Sequence, residues 1–225
     1  MEGIYQMINI IYEDNHLLVV EKPINIPVQE DSSKDLDFLT MLKDYIKKRD
    51  SKPNNVYLGL IHRLDRPVGG VMVFAKTSKC ASRLSEQVRN KKFKKSYIAV
   101  LEGKIDSEGT LIDKLLKDNK TNIVRVDNKG KDAILDYKLI DYKDNLSLVR
   151  INLQTGRSHQ IRVQFSSRGY PLYGDQRYNM NAKIGEQIAL FSESITFNHP
   201  ITKENMTFKL NIPNRKPFTT FKNVK

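Results

Sequence analysis

Two short segments of this chain hold side chains whose types and spacing could do chemistry. The first is His62-Arg63-Leu64-Asp65-Arg66-Pro67, followed at once by Val68-Gly69-Gly70-Val71-Met72-Val73-Phe74-Ala75-Lys76. It sets a carboxylate, Asp65, between two cations at a strand-to-loop corner, with a wholly apolar strand behind it. A carboxylate held against a dry core must be paired or lose its charge, and nearby guanidinium groups keep it ionised. An ionised, oriented carboxylate can serve as a nucleophile or a base. The competing reading is structural, with Asp65 capping a loop or completing an ordinary ion pair. Gly69-Gly70 lets the chain turn sharply and another backbone approach closely.

The second segment is Leu153-Gln154-Thr155-Gly156-Arg157-Ser158-His159-Gln160-Ile161-Arg162. Arg162 lies among Ile161, Val163 and Phe165, so its guanidinium is expected to be only partly exposed and to need a carboxylate, because a lone buried charge is costly. Asp65 could be that carboxylate, although spacing alone does not establish the pair. His62 and His159 match no zinc spacing, and Gly156-Arg157-Ser158-His159 is no nucleophile elbow, so both are read as loop-organising donors. Arg89-Asn90-Lys91-Lys92-Phe93-Lys94-Lys95 packs five cations around one aromatic ring, a pattern suited to phosphate contact. Tyr97 follows directly on a strand; its ring belongs either to the core or to a cleft where an extruded base would stack.

These side chains need a frame. Residues 17–20, 56–61, 71–75 and 97–101 read as buried strands, and 36–49 and 78–90 as helices, the first capped by Ser33 or Asp35. Leu135, Tyr137 and Leu139, and then Val149, Ile151 and Leu153, alternate with polar residues as half-buried neighbouring strands. Residues 158–168 read as a helix stopped by Gly169, with strands at 188–191, 195–197 and 206–210. The expectation is one α+β domain spanning 1–225, with a mixed, mostly antiparallel central sheet flanked by helices.

Composition narrows the partners. Of 225 residues, 38 are Lys or Arg against 26 acidic, a net charge of +12 that favours polyanions. Hydrophobic content of 39%, with ten Tyr and nine Phe, argues for a packed core. A single cysteine, Cys80, excludes a disulfide framework and a Cys-rich zinc site. No apolar run is long enough to span a bilayer, and Met1 to Gln6 lacks the start of a secretory signal. A cytoplasmic protein with no membrane partner is expected.

In order along the chain, these motifs resemble those of the RNA pseudouridine synthases of the RluA type. Ile10-Ile11-Tyr12-Glu13-Asp14 and Val20-Glu21-Lys22-Pro23 resemble the family's first motif. His62 to Lys76 resembles the motif with the catalytic aspartate, and Lys95-Ser96-Tyr97 through Glu102-Gly103 the one whose tyrosine stacks on the target base. Leu153 to Arg162 is similar to the motif whose arginine pairs with the aspartate. Tyr170-Pro171-Leu172-Tyr173-Gly174-Asp175 and Asn198-His199-Pro200 resemble its closing elements. The resemblance implies isomerisation of a flipped-out uridine in RNA to pseudouridine, with Asp65, Tyr97 and Arg162 as the catalytic set. It implies no cofactor and no metal.

His62, Arg63, Arg66 and Lys95 are expected to bind substrate, and so are Arg157, His159, Gln160 and Leu190. Structured ribosomal or transfer RNA is the implied partner of a monomer, with no separate N-terminal RNA-binding module. Two departures stand out: Val68-Gly69-Gly70 replaces the usual Thr-Ser-Gly, and Leu190-Phe191-Ser192 replaces Leu-His-Ala. An RNA-binding protein that keeps the fold with altered catalysis is therefore the alternative. An Asp-dependent nucleic-acid hydrolase fits less well, since no cluster of acidic metal ligands is visible.

Overall fold

A computed structural model describes residues 8–31 and 33–221; the N-terminal hexapeptide considered above lies outside them. The chain divides into two compact units, Met1–Lys94 with Ser194–Leu210, and Lys95–Glu193 with Asn211–Lys225.

In the first unit, β1 (Asn9–Glu13) pairs antiparallel with β2 (Leu17–Lys22), and β2 with β4 (Gly69–Ala75). The two-residue β3 (Gly59–Leu60) also pairs with β4. The second half of β10 (Leu190–Asn198) pairs with β11 (Asn205–Lys209). Every residue of β4 is buried, as expected of a Val- and Phe-rich strand covered on both faces. Two helices of twelve residues complete the unit. In α1 (Phe38–Arg49), the Asp37 carboxylate accepts from the Thr40 N–H, and Lys47, Lys48 and Arg49 lie at the negative end of the helix dipole. In α2 (Ser78–Arg89), the Thr77 hydroxyl caps the Cys80 N–H. The core gathers Leu17, Val19, Val71, Val73, Leu84 and Ile195, with Phe93 stacked on Phe197 at 5.3 Å.

The second unit is an antiparallel run in the order β5 (Lys94–Glu102), β9 (Leu146–Leu153), β8 (Lys131–Lys143), β6 (Glu108–Lys117), β7 (Val124–Val126). Its one α-helix among the described residues, α3 (Gln160–Ser166), carries the 162 position. The chain is thus α+β with a large, mostly antiparallel sheet, as predicted. No helix among the described residues is long and apolar enough to cross a membrane.

Several local expectations need correction. The 56–61 strand shrinks to Gly59–Leu60, since the residues before it are drawn into the polar loop around Pro53. The cap of α1 is Asp37, not Ser33 or Asp35, because the latter two hydroxyl and carboxylate groups bind Arg66 instead. The separate strands at 188–191 and 195–197 are one continuous β10. The predicted 158–168 helix is shorter at both ends, with Gly169 (φ +81°) just beyond it.

Candidate functional site

In the first unit, Asp65 is half-buried on the loop that leads into β4. Its carbonyl accepts from the Val68 N–H at 2.9 Å, closing a tight four-residue turn. That turn is fastened from inside by Lys22, at the end of β2 and 1% exposed. The Lys22 ammonium donates to the carbonyls of Pro23 (2.8 Å), Arg66 (3.1 Å) and Val68 (2.8 Å). Three donors thus meet three acceptors, two of them in the turn itself. Burial pushes the Lys22 pKa down to about 7, the nearby Asp65 charge opposing that shift and Arg66 adding to it. Gly69 explains how the backbones come so close: a Cβ there would sit 3.1 Å from the Lys22 carbonyl oxygen.

The neighbours of Asp65 differ in what they do. His62 is buried; its Nε2 accepts from the Val73 N–H at 3.3 Å, and its ring lies 5.4 Å from Phe93. Accordingly, it ties the loop to β4. Arg66 reaches the Asn25 carbonyl, the Ser33 hydroxyl and the Asp35 carboxylate, so it latches the 25–35 segment onto the loop. That hydrogen bond holds the Asp35 carboxyl below the usual carboxylate range. Arg63 is exposed.

In the second unit, Arg162 is 6% exposed on α3. Its Nε and Nη2 grip both oxygens of Asp175 at 2.8 and 2.6 Å, the planar bidentate geometry that suits guanidinium. The guanidinium also lies 5.1 Å from the centre of the Tyr178 ring. Asp175, 1% exposed, additionally accepts from the Arg177 N–H. Tyr178 extends the network: its hydroxyl accepts from the Val124 N–H and contacts His159 Nδ1 at 2.7 Å. His159 itself takes a left-handed backbone (φ +51°) at the start of α3.

Gln160, buried, donates to the Ile134 carbonyl and accepts from the Thr155 hydroxyl and the Arg157 N–H, which fixes the loop in front of the helix. Arg157 Nε donates to the Asp132 carbonyl. Tyr97 on β5 is 6% exposed and stands opposite Ile151 on β9; Leu190, 4% exposed, opens β10. Lys95 is half-buried, and burial pushes its ammonium pKa down.

Sequence reasoning did not single out Asp175, Tyr178 or Lys22 for the site. Asp175 and Lys22 lay within quoted motifs, Gly174-Asp175 and Lys22-Pro23, and an acid after a glycine turn was the signal available for the first. Nothing in the sequence around Tyr178 marked it. Among the described residues no group of three His, Cys, Asp or Glu side chains is arranged to hold a metal ion.

Comparison with known proteins agrees across sequence and fold. The model of the RNA pseudouridylate synthase family matches residues 16–167, a span containing Asp65, Tyr97 and Arg162. The chain is 33% identical to the uncharacterized RNA pseudouridine synthase YhcT of Bacillus subtilis, over 89% of this chain and 67% of that protein. It is 35% identical to ribosomal large subunit pseudouridine synthase C of Buchnera aphidicola, over 88% of this chain and 64% of the relative. The chain thus spans about two thirds of the length of these relatives. Among solved structures, human RNA pseudouridylate synthase domain containing 4 superposes with a TM-score of 0.78 at 20% identity, covering 95% of this chain and 91% of that one.

Proposed function

As this chain belongs to the RNA pseudouridylate synthase family, we propose that it converts uridine within RNA to pseudouridine. The observation that carries the reading is the family match over 16–167, a span that contains Asp65, Tyr97 and Arg162, the residues whose motifs resemble those of the family. The glycosidic bond between N1 and the ribose breaks, the uracil turns, and its carbon 5 joins the ribose, while the hydrogen on that carbon leaves as a proton and N1 takes one up. Asp65 acts at the sugar as nucleophile or base, and a partner that keeps it ionised also aims it. That partner is Arg162, whose guanidinium, gripped on one edge by Asp175, is a fixed positive group.

The uridine is flipped out of its stack to reach such a carboxylate, and Tyr97 stacks on the base. Leu190 contributes apolar surface that keeps water from a detached intermediate. His62, Arg63 and Arg66 shape the aspartate loop, and Arg157, His159, Gln160 and Lys95 the arginine loop, toward the RNA. The relatives' names point to large-subunit ribosomal RNA as substrate class, with transfer RNA as the other arm of the test. Residues 1–225 act in this reading as a single catalytic domain, monomeric and cytoplasmic.

Tritium release from RNA labelled at uridine carbon 5 tests the proposal, comparing unmodified transcripts of the two RNA classes. Release with the wild type and none with Asp65→Ala is the expected result. Equal release by both proteins overturns the role of Asp65. No release on either transcript, with RNA binding retained, favours the alternative of an RNA-binding protein in which Val68-Gly69-Gly70 has cost the activity.

A further inference from the structure

The arginine loop and β5 carry one feature that the isomerisation chemistry leaves unused. Lys95 and Tyr97 are two residues apart on β5, so both project from the same face, their Cα atoms about 7 Å apart. The opposite face of the strand is already satisfied. There Arg150 holds the buried Glu193 carboxylate at 2.7 and 2.8 Å, with the Ser96 hydroxyl beside it.

On the Tyr97 face the Lys95 side chain runs to Gly156, where a Cβ would lie 2.8 Å from its ammonium nitrogen. The glycine leaves the room that the ammonium occupies. The loop beneath is held in place by the Gln160 amide and by the Thr155 hydroxyl, which accepts from the Ile134 N–H. Among the described residues no carboxylate pairs with Lys95, and burial alone shifts its ionisation. An ammonium that is partly stripped of water, bears no counter-ion and is seated on a rigid loop is a ready anion site.

We propose that Lys95, seated over Gly156, anchors a phosphodiester group of the RNA strand whose base Tyr97 receives. The proposal rests on the reading above for the identity of the anion. The pairing of one point charge with one phosphate, beside a ring that stacks on any base, makes the contact independent of sequence. It therefore fixes the position of the strand and leaves the choice of base to other groups.

The test is binding of single-stranded oligouridylate to the full chain across a range of salt concentrations. Each phosphate contact on a single strand contributes about 0.7 to the slope of log affinity against log salt. Lys95→Met is expected to lower that slope by about 0.7, so that across a tenfold rise in salt the wild type loses about fivefold more affinity than the variant. Gly156→Ala displaces only the far end of a flexible side chain, so it should fold normally and lower the slope in the same way. Lys95→Arg should restore most of it. Unchanged slopes in both Lys95→Met and Gly156→Ala overturn the proposal.

Acylation of lysines in the wild type supplies a readout that needs no variant. Oligouridylate should protect Lys95, whereas an uncharged methylphosphonate analogue should not; equal labelling with and without oligouridylate also overturns the anchor. These binding readouts are independent of tritium release. A lowered slope without release sinks the isomerase reading and keeps the anchor, and release with unchanged slopes does the reverse.

Discussion

The two loops that carry Asp65 and Arg162 hold their charged residues in opposite ways. Asp65 is half-buried, and what is fastened is the backbone around it: a closed turn whose carbonyls are tied down by the buried ammonium of Lys22. Arg162 is buried, and what is fastened is the charge itself, gripped on one edge by Asp175 and faced by Tyr178. The first arrangement orients a half-buried side chain by fixing the backbone that carries it. The second buries a charge and so makes it part of the folding energy, because removing one partner strands the other in a dry interior. Reactivity and stability are therefore expected to separate between the two loops.

The largest effect should come from Asp65→Ala, which abolishes tritium release while costing less stability than the loss of Asp175, because Arg162 keeps its bidentate grip on Asp175. Unfolding in urea with the release assay checks both halves, and a large stability loss would break the contrast. Next is Asp175→Ala. Removing the carboxylate that grips the buried Arg162 guanidinium on one edge should cost about 3–5 kcal/mol of stability, read from the same urea curves, although Asp175 touches no substrate in the proposed reaction. A loss below about 1 kcal/mol would mean that the pair is not structural.

Lys22→Met should follow, taking the ammonium away from three carbonyls, of which the buried one of Val68 costs about 1–3 kcal/mol if left unsatisfied, and loosening the Asp65 turn, so that release falls by roughly tenfold or more. Its pH signature is distinct. The folded-state pKa of Lys22 is lowered to about 7, whereas the unfolded chain holds that proton up to the ordinary lysine range. The unfolded state therefore binds more protons between about pH 7 and 10, and this group makes stability rise with pH there, by at most about 1.4 kcal/mol per unit. Below about pH 7 both states are protonated and the contribution is flat. Thermal unfolding against pH should lose that rise in the Met variant. The smallest effect is Asp37→Ala, the loss of the cap of α1, at about 1 kcal/mol with tritium release unchanged. A release defect there would show that activity follows stability in general and would erase the comparison.

Much of the frame was legible before any coordinates. The all-apolar run behind Gly69-Gly70 and the alternation along β9 each point to the right element, because burial on one or both faces leaves a periodic mark. The stretch from 104 to 134 left no such mark. In β6 the buried residues are Leu111 and Leu115, four apart, a spacing that strands and helices share, and the rest of that strand is half-exposed or exposed. The division of 188–198 into two strands failed for a related reason: Ser192-Glu193-Ser194 looks like a polar break, yet Ser192 and Glu193 are buried, with Arg150 neutralising the carboxylate.

The sequence by itself determined the order and identity of the motifs, and through them the family, because the residue types that a reaction needs are written locally. It also predicted that the Arg162 guanidinium would be only partly exposed and in need of a carboxylate. Which carboxylate grips its edge, and that an ammonium from β2 pins the aspartate turn, were decided by the tertiary structure. Those choices depend on which groups lose their water together when the chain packs, and desolvation is a property of the packed interior that no spacing along the chain records.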